Sequence, residues 1–250
     1  MWTLGQQLST PNSVPQQIGA HQSAVKSVGF LKSTNLIVSG GYDKKLNFWD
    51  GRTPNPAGSF DLPERCYDID VKDNLMVVAT ADKQVIVYDV SAQPREYVRK
   101  PSPLKFQTRC VRCFPDMSGF AIGSIEGRVG IQYNEKANES KQFSFKCHRN
   151  NQDVYQVNAL AFHPNGIFAT TGSDGTFTFW DKDNKTKLKG FPSVGKPIPC
   201  ANFNATGSLF AYAKSYDWSQ GSTHYTPGSP NDICIHVCNP DEVKPKKKTR

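Results

Sequence analysis

Apolar and polar residues alternate with period two in five short stretches: "VKSVGFL" (25–31), "CYDIDV" (66–71), "TRCVRCF" (108–114), "VNALAFHP" (157–164) and "IPCANFN" (198–204). Each predicts a strand with one buried face. Each is followed by an apolar run that ends in a turn: "LIVSGGYD" (36–43), "LMVVATAD" (75–82), "GFAIGSIEG" (119–127), "GIFATTGSDG" (166–175) and "SLFAYAKSYD" (208–217). Gly and Asp at the ends of these runs suit hairpin turns that need positive φ. A third strand comes next: "KKLNFWD" (44–50), "KQVIVYD" (83–89), "GRVGIQY" (127–133), "GTFTFWD" (175–181) and, more weakly, "NDICIHV" (231–237).

Trp49, Tyr88, Tyr133 and Trp180 mark the phase of this phrase, 39, 45 and 47 residues apart, and Trp2 lies 47 before Trp49. Three strands and a variable fourth at a period near 40 are the unit of an all-β propeller, in which radial repetition leaves few open edges. Residues 1–240 are therefore predicted to form a partial blade of two strands, four full blades and a blade of three strands. That is about 21 of the 28 strands of a seven-bladed ring. "MWTL" reads as the end of a third strand with none before it, so the count predicts an N-terminally shortened ring, the alternative being a ring that closes with fewer blades.

Composition sharpens the picture only in part. The 250 residues carry a formal charge of +8, which favours an acidic partner: nucleic acid, an acidic peptide or a membrane surface. Seven cysteines, unevenly spread from Cys66 to Cys238, do not read as a disulfide framework. The first twenty residues lack a signal-peptide pattern and no window is apolar enough to span a membrane, so a nuclear or cytosolic protein without membrane insertion is expected.

Candidate chemistry is sparse. "CVRC" (110–113) has no second pair at metal spacing, and "CHR" (147–149) sets a Cys beside a His without an orienting carboxylate. "GSIEGRVG" (123–130) lacks the Gly-Lys-Ser/Thr of a phosphate loop and opens a strand. No metal, cofactor or catalytic set is predicted, and no enzyme activity.

The phrase "AH…VSGGYD…FWD" resembles the WD-repeat family across nearly the whole chain, and His21, Ser39, Asp43 and Trp49 match its structural hydrogen-bonding tetrad. His, Ser and Asp also invite comparison with a hydrolase triad, but they recur in repeat phase and the Ser lacks a nucleophile elbow. "LPERCYDIDV" (62–71), "GSIEGRVGIQY", "FSFKCHR" (143–149), "WDKDNKTKLK" (180–189) and "FAYAKSYDWSQG" (210–221) together are similar to the Gle-type messenger-RNA export propellers of the nuclear pore. The sister spindle-checkpoint propeller shares "SIEGRV" and "FKCHR".

The resemblance implies a non-catalytic adaptor that grips an acidic peptide motif of a Phe-Gly nucleoporin and supports messenger-RNA export, in the nucleus and at the pore, with a cytoplasmic population. The alternative it implies is a checkpoint adaptor for the related kinase peptide. Arg128 and Arg149 match the peptide-binding positions, where guanidinium groups form bidentate bonds to glutamates. Arg128, Phe145, Lys182, Lys185 and Lys187 are expected to form a basic groove with an aromatic floor, fit for single-stranded RNA or an acidic peptide, unless the lysines merely solubilise a turn. Trp180 is expected to pack inward while those lysines stay in solvent. The tail 241–250, with "KPKKKTR", is expected to be disordered, as an import signal, an RNA-contacting arm or a solvated end.

Overall fold

The computed structural model describes residues 2–6, 16–53 and 55–245, with side chains from residue 17 onward. The chain divides into two compact units, Met1–Ser102 and Pro103–Arg250.

In the first unit, β1 (Trp2–Gln6) and β2 (Gln16–His21) pair antiparallel as a two-stranded ribbon. Two four-stranded antiparallel blades follow. The first runs β3 (Val25–Leu31), β4 (Leu36–Gly41), β5 (Lys45–Trp49) and β6 (Pro56–Asp61). The second runs β7 (Cys66–Lys72), β8 (Leu75–Thr80), β9 (Gln84–Asp89) and β10 (Arg95–Pro101). β8 is buried at every position because sheet neighbours flank it and both its faces are covered. Its sequence is accordingly a continuous apolar run and shows no alternation. Val38, Leu46, Phe48, Ile69, Val78 and Ile86 join the two blades in one core. Gly19 of β2 lies so close to Trp49 that any Cβ there would collide with the indole.

The second unit opens with the blade β11 (Thr108–Cys113), β12 (Gly119–Ser124), β13 (Arg128–Tyr133) and β14 (Phe143–Lys146). A two-residue ribbon comes next, β15 (Arg149–Asn150) with β16 (Asp153–Val154). The blade β17 (Val157–Phe162), β18 (Phe168–Gly172), β19 (Phe177–Asp181) and β20 (Thr186–Phe191) follows, then the three-stranded sheet β21 (Ala201–Phe203), β22 (Leu209–Lys214) and β23 (Asp232–Val237). Val129, Ile131, Leu160 and Phe168 pack the first pair of sheets together, and Ala169, Phe179, Phe203 and Phe210 the second.

The architecture is all-β, of the propeller class, and among the described residues its antiparallel sheets hold, in chain order, two, four, four, four, two, four and three strands. The ribbon β15–β16 is the second of the two-stranded sheets.

Two expectations need correction. The tail does not become irregular at residue 241: Pro240–Glu242 form a capped 3-10 turn, Glu242 Oε2 pairs with His236 Nε2 at 2.8 Å, and Val243 is buried. Val243 reaches the core because Asn165 Nδ2 donates to its carbonyl at 2.8 Å. Residues 246–250, where most of the basic run falls, lie outside the described residues. The stretch "SYDWSQGSTHYTPGSPN" (215–231) reads as a loop inserted between two strands of the last blade, with Trp218 and Tyr225 packed over the propeller edge; these rings are instead 57% and 46% exposed, because the loop is held by its backbone and by Asp217 and leaves them outside.

Candidate functional site

The two arginines of the expected peptide site converge on one residue. Arg128 Nε lies 3.4 Å from Glu126 Oε1, while Arg149 Nη2 donates to the Glu126 carbonyl at 2.7 Å. They come from different elements, β13 and the ribbon β15–β16, so the convergence is tertiary. Gly127 makes it possible. Its φ is +61, and a Cβ would sit 2.5 Å from the Cys147 carbonyl oxygen and 2.9 Å from that of Tyr155. The Cys147 amide donates to the Gly127 carbonyl at 2.9 Å, stitching the two segments together.

His148 then sends neighbouring side chains in opposite directions. Its φ is +47, a left-handed conformation rare for a residue with a side chain. The imidazole is buried and Arg149 is exposed. His148 Nδ1 bonds Asp174 at 3.0 Å, its Nε2 bonds Thr170 Oγ1 at 2.9 Å, and Trp180 Nε1 donates to that hydroxyl at 3.0 Å. This repeats the arrangement of His21, Asp43, Ser39 and Trp49, where the corresponding distances are 3.0, 2.7 and 2.7 Å.

Sequence reading named the first tetrad and missed the second. The signal was present, since Ser39–Trp49 and Thr170–Trp180 are both ten residues apart, with Asp43 and Asp174 in matching places. Burial pushes the Asp174 carboxyl up, but bonding to His148 and Thr176 outweighs it and holds the group below its ordinary value. Burial pushes the Cys147 thiol far above its ordinary range, so the Cys147–His148 pair offers no thiolate nucleophile.

The tetrad also braces the wall of a cavity of about 580 Å³, lined by Lys146, Arg149, Asp174, Trp180, Lys187 and Phe191 among others. Lys146 stands opposite Arg128 in the β13–β14 register, which places the second arginine beside the same opening. Phe145 is half-buried and packs on Trp180 with ring centroids 4.6 Å apart, but of the two rings only Trp180 lines the cavity; Phe145 stands behind it, against the core of Val129 and Phe168.

The five residues expected to share one groove do not all face it. Lys187 lines this cavity, whereas Lys182 and Lys185 line another of about 520 Å³ with Tyr133, Lys141 and Asp183. Lys182, expected in solvent, is 6% exposed; its ammonium lies 4.9 Å from the Phe114 ring centroid and pairs with Asp183 at 2.8 Å. Lys185 is exposed and sits over Phe143 at 4.9 Å. The cause is local. Asp181 Oδ1 accepts from the Asp183 and Asn184 amides at 3.0 Å, Lys185 takes φ +53, and the strand register shifts between Phe179 and Trp180. That turn swings Lys182 and Lys185 away from the side on which Lys187 emerges.

Among the described residues no cluster of His, Cys, Asp and Glu could hold a metal ion, and no helix is long and apolar enough to cross a membrane.

Comparison with known proteins supplies relatives. Residues 12–50 and 139–181 match the WD domain, G-beta repeat family, and both segments end where a β-strand carrying a tetrad Trp ends. The chain is 46% identical over 241 residues to the "Poly(A)+ RNA export protein" of Schizosaccharomyces pombe, covering 93% of this chain and 68% of that protein. It is 46% identical over 242 residues to "mRNA export factor GLE2" of Chaetomium thermophilum, covering 94% and 68%. It is 47% identical over 247 residues to the "mRNA export factor" of Danio rerio, covering 93% and 67%.

Proposed function

The chain belongs to the Gle2/Rae1 family of WD-repeat mRNA export factors, and from that premise we propose that it is a non-catalytic adaptor in mRNA export that works at the nuclear pore. Its partner is an acidic peptide segment of a nucleoporin, held by Arg128 and Arg149. The observation that carries the reading is the convergence of these two guanidinium groups on Glu126 at the edge of the Lys146–Lys187 cavity.

A glutamate entering there replaces Glu126 as the acceptor for Arg128 and gains charge-assisted bonds from a preformed fork. Such bonds are worth about 1.5–3 kcal/mol each when shielded from water. Lys146 and Lys187 extend the positive field along the cavity, and Trp180, backed by Phe145, and Phe191 give an apolar anchor a place to rest. The same field suits the phosphates of single-stranded RNA, the second ligand of the proposal.

The test is calorimetric titration with a nucleoporin segment carrying two glutamates, using the native chain and Arg128→Glu. Binding should be lost in the variant while its thermal midpoint stays unchanged, since Arg128 is partly exposed and packs no core. Unchanged affinity would remove Arg128 from the site. Tighter binding of a checkpoint-kinase segment by the native chain would reassign the adaptor to the sister function.

A further inference from the structure

We infer that the loop 215–231 carries a second, separate ligand site: the stacked pair Trp218–Tyr225, flanked by the tilted ring of Tyr216, which an unpaired base of single-stranded RNA extends. The inference shares with the proposed function the premise that RNA is a ligand, but it uses none of the residues of the basic cavity.

Three observations carry it. First, the rings are already stacked and open to water. Trp218 and Tyr225 lie nearly parallel, 16° apart with centroids at 5.0 Å, and Tyr216 flanks Trp218 at 5.6 Å. Trp218 is 57% and Tyr225 46% exposed, a large apolar area to leave in solvent in a chain with only four tryptophans.

Second, the stack is held rigid. Trp218 adopts φ +62, a left-handed conformation that strains a residue with a side chain and persists only where its surroundings impose it. The restraint is Asp217, 5% exposed, which accepts bonds from Asn158 Nδ2 at 2.8 Å, the Ser219 amide at 3.1 Å and the Ser173 hydroxyl. Tyr216 Oη closes the loop by donating to the Gly221 carbonyl at 2.7 Å. At the far end Lys196 Nζ donates to Ser229 Oγ at 2.8 Å and to the Pro230 carbonyl at 2.9 Å. Prepaid ordering of this kind favours a ligand that adds one more ring without remodelling the loop.

Third, charge and shape choose the ligand. The one carboxylate in 215–231 is the buried Asp217, and Asp232 just beyond the loop is paired with Lys214 at 3.5 Å, so no lone carboxylate of the loop opposes a phosphate and the exposed rings choose the ligand. The near-parallel Trp218–Tyr225 pair offers a flat outer face, which suits a base; a proline-rich helix needs slots between parallel rings. A base in a duplex has both faces covered, so the ligand is single-stranded.

The experiment compares an eight-nucleotide oligoadenylate RNA with its abasic counterpart, which keeps the sugars and phosphates, by fluorescence anisotropy. The native chain should prefer the oligoadenylate by on the order of tenfold, the contribution of about one stacked base. Trp218→Ala should abolish that preference while keeping affinity for the abasic strand and the thermal midpoint, and Trp218→Phe should recover part of it. A preference retained in Trp218→Ala would overturn the inference. Lys187→Glu separates the two ideas: it should weaken both strands and keep their ratio, and if it changes neither, the basic cavity loses its RNA role while the stack keeps its own. A proline-rich decapeptide that binds in a Trp218-dependent way, with no base preference for the RNA, would also overturn the inference.

Discussion

Gly127 decides more about the site than any charged residue does. It holds φ +61 beneath three carbonyl groups, and it sets the spacing between Glu126 and Arg128 on one side and Cys147 to Arg149 on the other. A β-carbon there strains the backbone by about 1–2 kcal/mol and pushes the two segments apart. Gly127→Ala should therefore lower the urea midpoint and, separately, weaken nucleoporin-peptide binding even though both arginines remain. Peptide titration under native conditions checks it; native-like affinity would mean the arginines do not need each other. In sequence, "EGR" announces a carboxylate, a turn glycine and a cation, but neither the carbonyls above Gly127 nor the arginine that joins Arg128 at Glu126 can be read from it, because they belong to a segment some twenty residues on.

The turn between β19 and β20 shows how an element distributes its side chains. A run of four lysines in 182–189 reads as one basic face, and the structure divides it. Lys182 is buried against Phe114, Lys185 rests on Phe143, and Lys187 lines the cavity that Arg149 and Trp180 also line. Lys182→Glu and Lys187→Glu should therefore behave differently. The first places a carboxylate against an aromatic face beside Asp183, and it should destabilise the fold by about 1–3 kcal/mol. The second should leave the thermal midpoint unchanged and weaken binding of an anionic partner. Paired melting curves and titrations check this, and equal destabilisation would mean the two lysines share one environment. Period-two reasoning fails here because Asp181 caps the turn with its own carboxylate and the ladder slips by a residue.

At the scale of the molecule, a formal charge of +8 gives any nucleic-acid complex a strong electrolyte dependence. Each phosphate neutralised on a single strand adds about 0.7 to the slope of log affinity against log salt. Binding of oligoadenylate should fall steeply from low to physiological salt. The base-dependent preference assigned to Trp218 should survive, because stacking is not ionic. Anisotropy titrations across salt check both, and a flat response would deny the basic cavity a phosphate ligand. Charge of this kind says which sign of partner to expect and nothing about which face receives it.

Sequence by itself determined the repeat, and with it the all-β blade pattern, because strand period, turn chemistry and the Trp-Asp phase are local properties that survive without neighbours. It also named the first tetrad, whose bonds the fold forms, and nominated both arginines for the proposed site, since resemblance acts residue by residue. Only tertiary structure decided which charges meet. Arg128 and Arg149 come from separate elements, the second tetrad joins residues 148 and 180, and the fate of each lysine depends on a turn bonded to itself. The exposed stack at Trp218 belongs to the same class: its sequence reads as an ordinary loop with aromatics to bury. What leaves them outside is Asp217, fastened to Asn158 and Ser173 far away in the chain. Burial and pairing are properties of contacts between distant segments, so a linear pattern can nominate residues for a site without showing how they are arranged in it.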